Sequence, residues 1–327
     1  MVGIHEIKEK GYLPQRMYLM LMLGGSFTLF KTLILNLSDL KKIRRLRPDE
    51  KPYIRPPCRY PLPLYRDDMQ VCESTEKYLR PTLYCDPHTP EVVAMAHELG
   101  AFKKTDYEYA EAAFWFVKRN LTLEILPLDG VGKTLQRGTG TCFHLISTFI
   151  ALCRAAGIKA RYKMFAMNLL EAWYDAVVDV DPIVKKWYDS MGYFMIEGEG
   201  EVFVDGKWRV AHVGPTPERQ AAAGIPITRF GEDSIGVWFF PVEGTLMRME
   251  SIPFGLGSAT RFLRLIAPGS MARINNSIQE QIKKGTHILS TVGGEECYDQ
   301  QVRKKQGPEM PTVKLEEKKE KIIFLGQ

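Results

Sequence analysis

A cysteine stands where a turn of glycine and threonine becomes an apolar helix in GTGTCFHLISTFIALCRAAGIKARY, residues 138–162, and that junction narrows both fold and chemistry. Leu145, Ile146, Phe149 and Ile150 follow Cys142 at the spacing of one buried helix face. Gly157 closes the helix, and Ala160–Met167 resumes as a strand. A thiol at a helix N-terminus feels the positive end of the helix dipole, which favours the nucleophilic thiolate. The same place puts backbone N–H groups where an oxyanion can form. These are parts of a cysteine acyl-transfer enzyme. Free cysteines also serve as small buried hydrophobes, the reading given to Cys153 on the same helix, and spacing alone does not choose between the two for Cys142.

The 327 residues suffice for one large core or two modest ones, and a composition of 45% hydrophobic and 25% charged residues suits a globular chain. A net charge of +5 is too mild to imply nucleic acid as a partner. The basic clusters Lys41–Arg45 and Arg303 onward read as solvated surface. Six cysteines without a CxxC pair imply neither a zinc site nor a disulfide framework, so a reducing, cytoplasmic setting is expected, with no cofactor and no metal. Met17–Leu37 is apolar but interrupted by Lys31. Its uninterrupted part, 14 residues from Met17 to Phe30, falls short of the roughly 20 that a membrane-spanning helix needs. No small-residue cleavage site of the A-x-A type follows it. A docked N-terminal helix is expected, with peripheral membrane contact through residues 17–37 as the alternative.

Three regions follow from texture. Residues 1–75 form an extension whose proline- and arginine-rich connector, Arg47–Arg66, must be largely extended. Residues 76–265 form the compact core, and residues 266–327 a C-terminal helix and charged tail. In the core, Thr89 caps a helix from Pro90 to Leu99, and Asp106–Asn120 is a second amphipathic helix before that of Cys142. Strands are expected to dominate next. Tyr193–Val204 and Lys207–Val213 flank Asp205-Gly206, a type I′ hairpin signal. Helix is expected again at Ala259–Ile266 and Ala272–Lys284, and fraying from Gln300 to Glu320.

The cysteine helix and the hairpin, with YLRPTLYCDPHTPEVVAMAHEL, DYEYAEAAFWFVKRN and GEGEVFVDGKW, resemble the transglutaminase-like superfamily over roughly Tyr78–Ser258. The later RFGEDS is similar to a segment that follows the last triad residue in some bacterial members. The resemblance implies an α+β, papain-like fold: a helical lobe bearing Cys142 packed on a mostly antiparallel sheet, with the substrate cleft between them. It also implies a nucleophilic cysteine served by a histidine at the start of the first hairpin strand and an aspartate four residues past the tryptophan. The family pattern runs H-x-x-x-E-V-x-x-D-G-x-W. Glu201, Val202, Asp205, Gly206 and Trp208 match it, but the histidine position holds Glu197 and the aspartate position holds His212.

With a two-residue loop, Val204 faces Lys207, Glu201 faces Val210 and Glu199 faces His212. Strand alternation then puts Glu197, Glu199, Glu201 and His212 on one face. An exchange of partners is therefore expected: His212 as general base for Cys142, Glu197 orienting the imidazole, and Glu199 as substitute orienter. Gln136, six residues before Cys142, is either a second oxyanion donor or a solvated loop glutamine. His144 points about 200° away from Cys142 on the helix and reads as a helix-face or pocket-lining residue. Glu199, Glu201 and His212 would suit a hard metal, but solvated acids are the commoner reading of such a strand. The expected function is thiol-dependent acyl chemistry on an amide, in a peptide or small molecule, with hydrolysis or transfer through a thioester. The alternatives are a small-molecule acyl cyclase using the same cleft, and a degenerate binding or scaffold domain.

Overall fold

Capping signals and apolar periodicity set helices on one side and a curled antiparallel sheet on the other, in a computed structural model that describes residues 16–233, 235, 240–253, 261–262 and 264–305. The helical lobe comprises α1 (Arg16–Leu35), α2 (Leu37–Ile43), α3 (Pro90–Glu98), α4 (Asp106–Asn120), α5 (Val131–Arg137) and α6 (Cys142–Ala155). The second and third predicted helices have the predicted bounds because their ends are written locally. Thr105 caps α4, and Glu108 reaches back to the Thr105 N–H at 3.0 Å, a capping box. Gly157, at φ 83°, ends α6 in a Schellman motif, with Ile158 N–H to Cys153 O at 2.9 Å and Gly157 N–H to Arg154 O at 3.0 Å. Thr89 holds the cap position of α3 without a side-chain cap bond; its hydroxyl donates to Asp86 O instead.

The N-terminal helix differs from expectation. Lys31 does not interrupt it, and α1 is continuous over 20 residues, long and apolar enough by length and composition to cross a membrane. One face is buried: Tyr18 and Leu21 join the main core, and α1 packs on the sheet and on the later helix Pro182–Met191. The connector is extended, as its prolines require, and is strapped to the lobe by Arg55 on Glu124 (2.7 and 2.9 Å) and Tyr60 on Leu135 O (2.6 Å).

The sheet contains β3 (Ala160–Asn168), β4 (Phe194–Val204), β5 (Lys207–Ala211), β6 (Phe240–Pro241) and β7 (Met247–Met249). Its order is β5-β4-β3-β6 with β7 also on β3, and every pairing is antiparallel. The hairpin register is the predicted one, Val204 on Lys207 and Glu201 on Val210, around Asp205 (φ 51°) and Gly206 (φ 72°). Helix α6 crosses β4 where Gly200 leaves room: a Cβ there would stand 2.7 Å from the Phe149 ring. At the far end of α6, the buried Arg154 guanidinium donates to the carbonyls of Arg80, Ala160 and Glu250, tying helix to sheet.

Three helices stand where strands were expected to dominate: α7 (Glu171–Val177), α8 (Pro182–Met191) and, after β5, α9 (Pro217–Ala222). The start of α8 is conventional, with Asp181 accepting from Ile183 N–H (3.0 Å) and Val184 N–H (3.2 Å) and Pro182 at the first position. The C-terminal helix α10 (Pro268–Val292) overruns its predicted bounds at both ends, and α11 (Glu295–Lys305) follows it. The segment expected to fray is therefore helical as far as Lys305; its remainder, like part of Ala259–Ile266, lies outside the described residues.

Candidate active site

The turn before Cys142 is built by two short elements. Strands β1 (Thr122–Leu123) and β2 (Thr139–Gly140) pair in parallel, after Gly138 has closed α5 at φ 71°. A Cβ on Gly140 would lie 2.4 Å from that of His144, so only glycine lets the chain fold back on its own helix here. Thr141 N–H donates to His144 Nδ1 (3.0 Å), with the Thr141 hydroxyl 2.8 Å from the same nitrogen. His144 Nε2 stands 3.1 Å from the Asp129 backbone N–H and 3.0 Å from Asp129 Oδ1. Burial lowers the His144 pKa and keeps the ring neutral. Burial alone would raise the Asp129 carboxyl, but hydrogen bonds from His144 and Arg137 outweigh it and hold the group well below its usual range. His144 thus belongs to the scaffold that starts α6, on the side away from the thiol.

Cys142 faces a pocket of about 80 Å³, several times the 10–15 Å³ that one water needs. Its walls are apolar, from Leu123, Ile125, Met167, Leu169, Trp173 and Val177, and its chemistry comes from Cys142, Glu197, His212 and Arg219. The three principal residues expected from sequence therefore converge. Cys142 and Glu197 act on each other's protonation through a thiol–carboxyl hydrogen bond. Glu197 stands opposite Phe165 on β3, immediately before a register shift. Burial pushes its carboxyl up to about 7, against the opposing Gly198 N–H, the thiol and Arg219. Burial also pushes the thiol well above its usual value, as does Glu197; the Phe143 N–H and Arg219 pull the other way.

His212 follows the last ladder pair, Gly200–Ala211, and is 1% exposed. Burial, then the cations of Lys118, Lys163 and Arg219, drive its pKa well below the usual value, so its imidazole is neutral. The turn it begins is pinned by Lys118, whose buried Nζ donates to His212 O (3.1 Å), Pro215 O (2.9 Å) and Thr228 Oγ1 (2.9 Å).

The supporting candidates fare differently. Gln136 is bonded to Glu91 and is not among the pocket residues, so it supplies no oxyanion donor there. Glu199 is fully buried in an ion pair with Lys163 at 3.1 Å, its neighbour on β3. Glu201 pairs with Arg161 at 2.6 Å in the same way. These two acids are thus held by cations across the ladder, neither solvated nor gathered as ligands.

Arg219 was not singled out by the sequence. It is 6% exposed and enters the pocket from α9, which Thr216 caps. Its guanidinium lies 5.8 Å from the Trp173 ring centroid, and Nε reaches Gln281 Oε1 at 3.4 Å. Burial lowers its pKa to about 10, and the charges it faces are those of Glu197 and Cys142. The one local signal was Thr216-Pro217, a cap followed by a first-turn proline, which fixes Arg219 in the first helical turn.

Residues 93–189, from within α3 to within α8, match the family model of the transglutaminase-like superfamily; the match contains Cys142 and stops short of Glu197 and His212. A crystal structure from Cytophaga hutchinsonii, provisionally assigned as a cysteine protease, is similar over 53% of this chain and 50% of its own, at 15% identity and a TM-score of 0.31. The chain spans about half the length of that protein. No curated protein matches the chain. The family match is centred on α6, the helix that lies across the hairpin strand of the antiparallel sheet, so residues 93–189 carry a transglutaminase-like domain with Cys142 inside it.

Proposed function

We propose that the protein is a cysteine-dependent enzyme that attacks an amide and passes its acyl group to water or an amine. The observation that carries this reading is the gathering of Cys142, Glu197, His212 and buried Arg219 around one apolar-walled pocket. In this reading Glu197, whose carboxyl is pushed up beside the thiol, is the group that takes the proton of the nucleophile. As the sulfur bonds to the carbonyl carbon, the thiol proton passes to the Glu197 carboxylate and the carbonyl π electrons move to oxygen. Collapse expels the amine, which takes that proton, and leaves a thioester on Cys142. Water or an amine then attacks the thioester, Glu197 or His212 removes its proton, and the thiol is restored.

Arg219 replaces the positive charge that an imidazolium would otherwise supply beside the thiolate. It faces both Cys142 and Glu197, so it favours the ionised form of each. The thiol lies above the carboxyl in pKa, so the resting pair is largely thiol and carboxylate above pH about 7, and the proton moves only as the carbonyl is attacked.

A panel of short-chain p-nitrophenyl esters and anilides, with the intact protein weighed by mass spectrometry, tests the reading. A single acyl adduct on Cys142 is expected, forming faster as pH rises through about 7 and lost in Cys142→Ala. Acylation falling no more selectively on Cys142 than on exposed Cys58 and Cys297, and indifferent to Glu197→Gln, would instead identify a binding domain.

A further inference from the structure

Helix α1 is apolar on every side, a property of helices buried in a core or a membrane, yet only one of its faces is covered. Tyr18, Leu21, Gly25 and Thr32 are buried against the body, where Trp187 Nε1 donates to Gly25 O at 3.3 Å. On the opposite side, Leu19, Leu23, Phe27, Phe30 and Ile34 share an arc of about 80°. Each is 46–70% exposed. The helix contains no acidic residue, and its two cations, Arg16 and Lys31, are exposed.

The chain next to this arc is cationic. Lys41, Lys42, Arg44 and Arg45 are exposed and, among the described residues, appear in no ion pair, while the one acid of α2, Asp39, is held by Lys186 at 2.7 Å. A second segment of the same chemistry arrives from far along the sequence. Gly269 N–H donates to Arg44 O at 2.8 Å, and just before it Arg261, Phe262, Arg264 and Leu265 are all exposed. Leu265 lies four positions before Gly269, so its Cα is within about 14 Å of that of Gly269. Two distant segments thus meet with bare apolar side chains and free cations together.

We propose that this face docks on an anionic bilayer surface, with α1 lying in the plane of the headgroups. The cations choose the occupant: anionic lipid complements them, whereas a second copy of the chain would present the same sign. The helix lies flat and does not span, because its other face is held by the body, with Lys186 bonded to Asn36 (2.6 Å) just beyond its end. The docking is independent of the chemistry in the pocket.

Co-sedimentation of the full chain with phosphatidylcholine vesicles, with and without one third phosphatidylglycerol, tests the proposal. Binding to the anionic vesicles at least tenfold tighter than to the neutral ones is expected, and it should weaken at about 1 M salt. Lys42→Glu with Arg45→Glu should weaken anionic binding by about 20-fold or more, at about fivefold per cation. Phe27→Ser with Phe30→Ser should abolish binding to both vesicles. Phe30→Trp, which keeps the apolar face, should give fluorescence that brominated lipid quenches. Absence of sedimentation or quenching with anionic vesicles, in protein that unfolds at the wild-type temperature, overturns the proposal. So does self-association that disappears in the Phe27→Ser, Phe30→Ser protein, which would make a second copy the occupant.

Discussion

Glu197→Gln keeps the size and reach of the side chain and removes its titration. In the folded chain the carboxyl is pushed up to about 7 from an ordinary 4.5, a gap worth about 3 kcal/mol of folding free energy when the group is fully ionised. The side chain keeps some solvent contact at the pocket, so an effect of about 1–3 kcal/mol is expected. Because the pKa is higher folded than unfolded, the contribution of this group is whole below about 4.5 and is lost as pH rises through about 7. Urea unfolding at about pH 5 and about pH 8.5 should show the native protein losing this increment while the glutamine variant does not. The variant should therefore be the more stable protein at the higher pH, with most of that advantage gone at the lower. Acylation by the same variant should fall by about 10²–10⁴-fold and lose its inflection near 7. Equal stability of the two proteins at about pH 8.5 would refute the reasoning, because it would mean that the carboxyl beside the thiol carries no burial penalty.

Other residues give independent checks. Burial lowers the Lys118 pKa to about 7, below its unfolded value, so the group costs stability fully below that pH and progressively less as pH rises towards 10.5. Lys118→Met should accordingly be less destabilised relative to the native protein at about pH 6 than at about pH 9, and urea titrations at both would show it. Arg219→Gln should slow acylation by about 10²-fold, read by stopped-flow release of p-nitrophenol, with a thermal unfolding midpoint near that of the native protein. In Gly285→Ala the new Cβ would lie 1.7 Å from Glu218 O, so α10 must move off the segment carrying Arg219, and a loss of about 3 kcal/mol or more in urea unfolding is expected. Thr141→Ala should cost about 1 kcal/mol by removing the side chain that partners His144 at the start of α6, measured in the same way.

The elements that the sequence made legible are those whose signals are local. Thr105 and Glu108 sit three residues apart and define the start of α4 wherever that helix packs. Asp205-Gly206 fixes the hairpin register through its own two positive φ angles, and so places Glu197 and His212 relative to each other. The spacing after Cys142 defines α6, and Gly157 stops it. The short helices α7 to α9 were missed because a helix of six to ten residues holds too little periodicity to stand out from a strand, although Asp181-Pro182 marked one of them. The full length of α1 was missed because Lys31, an interruption by composition, is exposed at the edge of a helix whose other side is packed.

The roles of the charged residues were decided at a different level. Sequence alone determined that Cys142 begins a helix and that Glu197 and His212 lie on the two strands of one hairpin; the family resemblance implied their roles. The tertiary structure decided that Glu197, His212 and Cys142 share one pocket, that Glu199 is held by Lys163, that Gln136 is drawn to Glu91, and that Arg219 enters the pocket. The reason is physical. Helix ends and tight turns are stabilised by bonds within a few residues, whereas a buried charge is settled by whatever opposite charge or donor packing brings beside it, and that neighbour comes from another part of the chain.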